Sequence, residues 1–141
     1  MPKHILVPTD GSRLSKKVVK EAIALAKALR AKVTGVHAFP ANFGIAIDAT
    51  TQDQLRKQAQ ADGTRYLDDM EAAARSARIR FDRLLLKNDD PWRAIIGAAR
   101  KQRCDLIMMA AHGRRGLAAI VLGSETNKVL VYSKIPVLVY R

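Results

Sequence analysis

Two stretches of this chain carry residue types that could bind and orient a phosphorylated ligand. The first is Pro8-Thr9-Asp10-Gly11-Ser12, where a carboxylate and two hydroxyls follow a short apolar run. The second runs from Met109 to Glu125 and reads MAAHGRRGLAAIVLGSE. Gly113 and Gly116 let the backbone turn tightly. Gly123-Ser124 opens a helix, whose first N–H groups and positive dipole end favour an anion. His112, Arg114 and Arg115 supply further donors beside it. This chemistry suits a phosphate. No lysine stands in a Walker-type motif, and no carboxylate or glutamine is placed to orient a water. The sequence therefore gives no ground for fast phosphoryl transfer; the most it would allow is a slow ATPase. His4 and His37 lack cysteine or histidine partners at ligand spacing, which argues against a zinc site.

Each of these residues also has a plainer use. Asp10 fits a helix cap or a turn, and Ser124 fits an N-cap. His112 could be structural, and Arg114 and Arg115 could be solvated loop residues.

The elements that must position these groups alternate between strand and helix. His4 to Pro8 reads as a strand, and Ser12 can cap a helix over about 13–30, with Val18, Ala22, Leu25, Ala26 and Leu29 inward. Residues 32–38 read as a second strand, followed by a loop at 39–50. Thr51-x-x-Gln54 looks like a capping box for a long helix to about Ala77, with Leu55, Ala59, Tyr66, Leu67, Met70 and Ala74 as its core face and Gly63 as a local weakness. Residues 80–86 form a third strand. Asp90-Pro91 starts a helix that buries Trp92, Ile95, Ile96 and Ala99. Residues 105–109 form the fourth strand, 124–132 a helix and 135–140 the fifth strand.

Short continuous apolar strands joined by helices imply an α/β fold: a parallel sheet covered on both faces, doubly wound through right-handed crossovers. Ligands of such sheets bind beyond the carboxyl ends of the strands, where the strand order reverses. If the first and fourth strands are neighbours there, both ligand-binding stretches face one crevice.

The 141 residues suit a single domain spanning 1–141, and 48% apolar content argues against disorder. No apolar run reaches the ~20 residues of a membrane helix, and the N-terminus turns too soon for a signal peptide. Cys104 is the one cysteine, so no internal disulfide can form; a small buried hydrophobe in a reducing cytoplasm fits. The net charge is +12, with Lys and Arg in every segment and no aromatic residues interleaved for base stacking. The pattern is read as solvated helix faces, which argues against nucleic acid as a partner.

With these pieces in view, the chain resembles the universal stress protein family over its whole length. The resemblance rests on Ile5-Leu-Val-Pro-Thr-Asp-Gly-Ser12, Asp90-Pro91, Leu122-Gly-Ser124 and Pro136-Val-Leu-Val-Tyr140. It implies a Rossmann-like fold of the adenine nucleotide alpha hydrolase type, with a five-stranded parallel sheet of order 3-2-1-4-5. It also implies a homodimer joined through the last strand, Pro136 to Tyr140. ATP-binding members carry G-x2-G-x9-G-[ST] after the fourth strand. Gly113, Gly123 and Ser124 match, but Ala110 replaces the first glycine.

By this resemblance Pro8, Thr9 and Asp10 lie along the adenosine, while Ala38 and Met109 border the adenine. Ala110, His112, Gly113 and Arg114 approach the ribose and phosphates. Gly123, Ser124, Glu125 and Thr126 hold the phosphates. Glu125 is expected to use its backbone N–H, its carboxylate pointing away or helping to hold Mg²⁺. The function implied is a cytoplasmic, dimeric ATP-binding sensor or regulator of the stress response. The alternative is a nucleotide-independent member working through protein contacts.

Overall fold

The computed structural model describes residues 1–113 and 122–141. Strand and helix alternate as β1 (His4–Pro8), α1 (Arg13–Leu29), β2 (Lys32–Phe39), α2 (Ala49–Ser76), β3 (Phe81–Lys87), α3 (Pro91–Lys101), β4 (Leu106–Ala110), α4 (Ser124–Tyr132) and β5 (Val137–Tyr140). The five strands form one sheet in the order β3-β2-β1-β4-β5. All neighbours are parallel.

Alternation along the strands builds two cores. Ile5, Val7, Val33 and Met108 face one side, where α1 and α2 cover them with Val18, Ala22, Leu67 and Met70. Leu6, Val36, Ile107 and Met109 face the other, against Ile95 and Ala99 of α3 and Val129 of α4. Strands buried on both faces explain the continuous apolar runs.

The central register is locked at the amino ends of the strands. Asp105, just before β4, accepts the backbone N–H groups of Lys3 and His4 at 2.9–3.0 Å. His4 Nε2 lies 2.6 Å from Thr34 Oγ1, a hydroxyl buried in β2. β2, β1 and β4 are thus fastened together, which holds their carboxyl ends in register at the crevice.

Three local features differ from the sequence reading. The N-cap of α2 is Asp48, whose carboxylate accepts from Thr51 N at 2.8 Å and from its hydroxyl at 3.0 Å, so the helix starts before the Thr51 capping box. A carboxylate reaches two donors of the first turn at once, which an internal threonine cannot do. Leu55 is exposed because the first half of α2 extends past the sheet; burial begins at Gly63. β5 begins at Val137, two residues later than the apolar pattern suggests.

The crevice at the carboxyl ends of β1 and β4

The strand order reverses at β1, which has β2 on one side and β4 on the other. The connections leaving β1 and β4 diverge there and open a cavity of about 570 Å³. Its walls bring together Pro8, Thr9, Asp10, Ala38, Met109, Ala110, His112, Gly113, Gly123, Ser124, Glu125 and Thr126. Every site residue expected from the sequence is in this set except Arg114, which lies outside the described residues together with Arg115.

The β1 connection is held rigidly. Thr9 is buried; its N–H donates to Val36 O at 2.9 Å and its Oγ1 accepts Gly11 N at 3.2 Å. Gly11 has φ +74°, and a Cβ there would fall 2.3 Å from the Tyr66 ring, so both conformation and space demand glycine. Ser12 is the N-cap of α1, its hydroxyl accepting Ser15 N at 3.1 Å. Asp10 Oδ1 accepts from Ser12 N at 2.9 Å and from Ser15 Oγ at 2.8 Å. These bonds orient its carboxylate, and Oδ2 faces Gly113: a Cβ on Gly113 would lie 2.2 Å from it. The two distant stretches thus meet at a carboxylate and a glycine.

On the β4 side, Ala110 is the last strand residue, 8% exposed and free of left-handed backbone. The missing first glycine of the motif therefore imposes no conformational strain. Thr126 is buried, and its hydroxyl donates to Ala110 O at 2.8 Å, which ties the head of α4 to the end of β4. Gly123 N donates to Ala111 O at 2.7 Å. Gly123 is the N-cap of α4, with no side-chain cap, and Ser124 is the first helical residue. The N–H groups of the first turn have no acceptor within the helix. Glu125 lines the crevice; its Oε2 is shielded from solvent and accepts no hydrogen bond from the described residues.

His37, Tyr66 and Asp62 also line the crevice. The sequence reading does not place them at the site. His37 Nδ1 lies 2.7 Å from Thr9 O; a carbonyl only accepts, so Nδ1 carries a proton in this contact. Tyr66 meets that ring edge-on, with centroids 5.3 Å apart. The one sequence signal for His37 is its place beside Ala38 near the end of β2. Tyr66 and Asp62 come from mid-α2, and only the packing of α2 on β2 reveals them.

With that geometry established, comparison with known proteins adds the following. The family model described as the universal stress protein family matches residues 1–141. A universal stress protein of Thermus aquaticus is 32% identical over 142 residues, covering 100% of both chains. Among solved structures, a universal stress protein in complex with cAMP has a TM-score of 0.76 at 24% identity, covering 99% of this chain and 97% of that one. An Arabidopsis thaliana family member with AMP bound has a TM-score of 0.71 at 15% identity, covering 98% and 90%. The Archaeoglobus fulgidus protein in complex with dAMP has a TM-score of 0.67 at 18% identity, covering 99% and 98%.

Proposed function

The chain belongs to the universal stress protein family, and from that membership we propose that it is a dimeric regulator that binds an adenine nucleotide, ATP foremost, in the crevice between β1 and β4. One observation carries the reading. A carboxylate held by two hydrogen bonds and the head of α4, which has no side-chain cap among the described residues, line one cavity. Pre-oriented donors and acceptors of this kind are what a nucleoside phosphate requires. Relatives of the same fold are bound to cAMP, AMP and dAMP.

In this reading Ala38, Met109 and Pro8 border the base, and Thr9 and Asp10 take the ribose. The backbone N–H groups of Gly113, Ser124 and Glu125 hold the phosphates, with His112 and Arg114 beside them. Thr126 is a positioning residue, since its hydroxyl proton is engaged by Ala110. In the tautomer whose Nδ1–H donates to Thr9 O, His37 Nε2 would offer an acceptor to an exocyclic amine, which favours adenine over a carbonyl at that position. A shielded carboxylate oxygen with no hydrogen bond suits a cation, so Glu125 is the residue that would hold Mg²⁺ together with the phosphates. The ion would neutralise phosphate charge beside that carboxylate.

The dimer of this proposal joins through β5. That strand lies at the sheet edge with Leu138 40% exposed, and α4 beside it exposes Leu130 and Val131. Pairing with a second copy would cover both the edge and the apolar patch. A Leu138→Arg variant should run as a monomer by light scattering.

Mass spectrometry of small molecules released from the purified, denatured protein tests the ligand. Titration calorimetry with ATP, ADP, AMP and cAMP, with and without Mg²⁺, then ranks the candidates. Absence of any released nucleotide, together with no heat at a protein concentration of about 0.1 mM, which suffices to see ~10 μM affinity, would instead favour the nucleotide-independent reading.

A further inference from the structure

Helices α1, α2 and α3 end in the same way. Each closes on an arginine in the left-handed conformation: Arg30, Arg78 and Arg103, with φ of 55°, 58° and 56°. In each, the next N–H reaches back to the carbonyl five residues earlier: Ala31 to Ala26 at 2.8 Å, Ile79 to Ala74 at 2.9 Å and Cys104 to Ala99 at 2.8 Å. Glycine is the usual occupant of this position, because an L side chain is strained there. Among the described residues, these arginines are the non-glycine residues with positive φ. A cation stands at each position where glycine would make the more stable cap.

The topology gathers them. Each arginine lies in the connection that leads into β2, β3 or β4. In a parallel sheet those connections share the end opposite the crevice. The order β3-β2-β1-β4 sets Arg78, Arg30 and Arg103 in a row across the base. The last turns of the helices add Lys27, Arg75, Arg100 and Lys101, and Arg80 precedes β3. All of these side chains are exposed, and none forms an ion pair among the described residues. The carboxylates at this end are engaged, Asp82 with Lys32 and Asp105 with the N–H groups of Lys3 and His4. Complementing the helix dipoles accounts for the cations of the last turns. It gives no reason to put arginine on a left-handed backbone.

We propose that this base docks the phosphodiester backbone of a nucleic acid, a role separate from the nucleotide crevice. Arginine outnumbers lysine in the set, and its planar fork pairs two phosphate oxygens at once. Polybasic attraction to an anionic membrane treats lysine and arginine alike, and does not call for guanidinium groups on rigid caps. The exposed aromatic Tyr132 is stacked on Trp92, at the opposite end of α3 from Arg103, so bases are not read by stacking here. The interactions go to phosphates and are indifferent to sequence.

The test uses the full chain and three probes: a mixed-sequence DNA duplex, a single-stranded RNA and phosphatidylserine vesicles. The variant is Arg30→Gly, Arg78→Gly and Arg103→Gly together. Glycine suits all three caps, so this variant should melt no lower than the parent. A control of equal charge, Lys16→Gln, Lys17→Gln and Lys20→Gln, removes exposed cations of α1 that are away from the base. The cap variant should bind one or both nucleic acids at least about tenfold more weakly, and its salt slope should fall by about 0.9 for each phosphate it no longer neutralises. The control should weaken binding less than about threefold. Saturating AMP should leave nucleic-acid binding unchanged, whether or not the crevice holds it. Equal weakening in the two variants, no binding by the parent at low salt, or vesicle binding alone depending on the caps would overturn the proposal.

Discussion

Replacing Gly113 with alanine tests the close approach on which the crevice is built. Gly113 does not have positive φ, so alanine can adopt its backbone and the substitution acts through space alone. The new methyl group would fall 2.2 Å from Asp10 Oδ2. The Asp10 carboxylate must swing away, disturbing its bonds from Ser12 N and Ser15 Oγ. Hydrogen bonds to a charged group contribute about 1.5–3 kcal/mol each, and water recovers part of this at a half-buried site, so the net loss should be about 1–3 kcal/mol. For a chain of this length that lowers Tm by roughly 3–10 °C. Because Asp10 is then misplaced, adenine nucleotide affinity should drop at least about tenfold by calorimetry. The companion Ala110→Gly restores the family glycine at a position whose backbone is already extended. It should raise affinity less than about threefold while costing about 0.5–1 kcal/mol of stability. Unchanged Tm and affinity in Gly113→Ala, or a large gain in Ala110→Gly, would refute the reasoning.

Other substitutions follow from the packing and the buried titratable groups. Gly63→Ala should destabilise the fold by about 1 kcal/mol in urea, because overpacking of about 1–3 kcal/mol outweighs the ~1 kcal/mol gained in helix propensity; the added Cβ would sit 2.5 Å from His37 Cδ2 and 2.7 Å from Leu85 Cδ1. Burial first, and Lys32 next, hold His4 below its ordinary value of 6.5, so the folded state binds fewer protons than the unfolded chain just below that pH. Its contribution is complete above pH 6.5 and is lost on acidification, and His4→Gln should flatten that part of a stability–pH curve. For Asp105, burial alone would raise the carboxyl, but the N–H groups of Lys3 and His4 outweigh it and hold the group below 3.8. That contribution is present above 3.8 and is lost as pH falls further, so Asp105→Asn should shrink the acid limb of the curve. Burial, with Asp105 adding to it, pushes the Cys104 thiol up to about 11, so a thiol reagent at pH 8 should label it only after unfolding.

The sheet is legible in the sequence because its information is local: five short apolar runs, the first four each followed by a polar turn and a helical period. The crevice is legible for the same reason where a residue sits at the end of β1 or β4, as do Pro8, Met109 and Ala110; Ala38 comes only from the family resemblance. What the sequence does not reveal belongs to the long helix. Tyr66 and Asp62 reach the cavity because α2 packs on β2 with Gly63 against His37, and a helix face 28 residues long gives no sign of which turn meets a ligand. Asp48 is masked as the cap of α2 because Thr51-x-x-Gln54 fits the same pattern three residues later.

The charge shows how topology can turn a dispersed signal into a local one. Along the chain, basic residues recur in every segment, and the pattern reads as solvated helix faces. In a parallel α/β sheet, however, every strand-to-helix connection lies at one end and every helix-to-strand connection at the other. Asp10 and Gly113, in connections of the first kind leaving β1 and β4, meet across the crevice. Arg30, Arg78 and Arg103, in connections of the second kind, line the base. One rule of chain path therefore separates a pole built around a carboxylate and the head of α4 from a pole of guanidinium groups that form no ion pair among the described residues. Because the two ends share no residue, glycine at the three caps should change the charge of the base while leaving the hydrogen bonds of Asp10 intact.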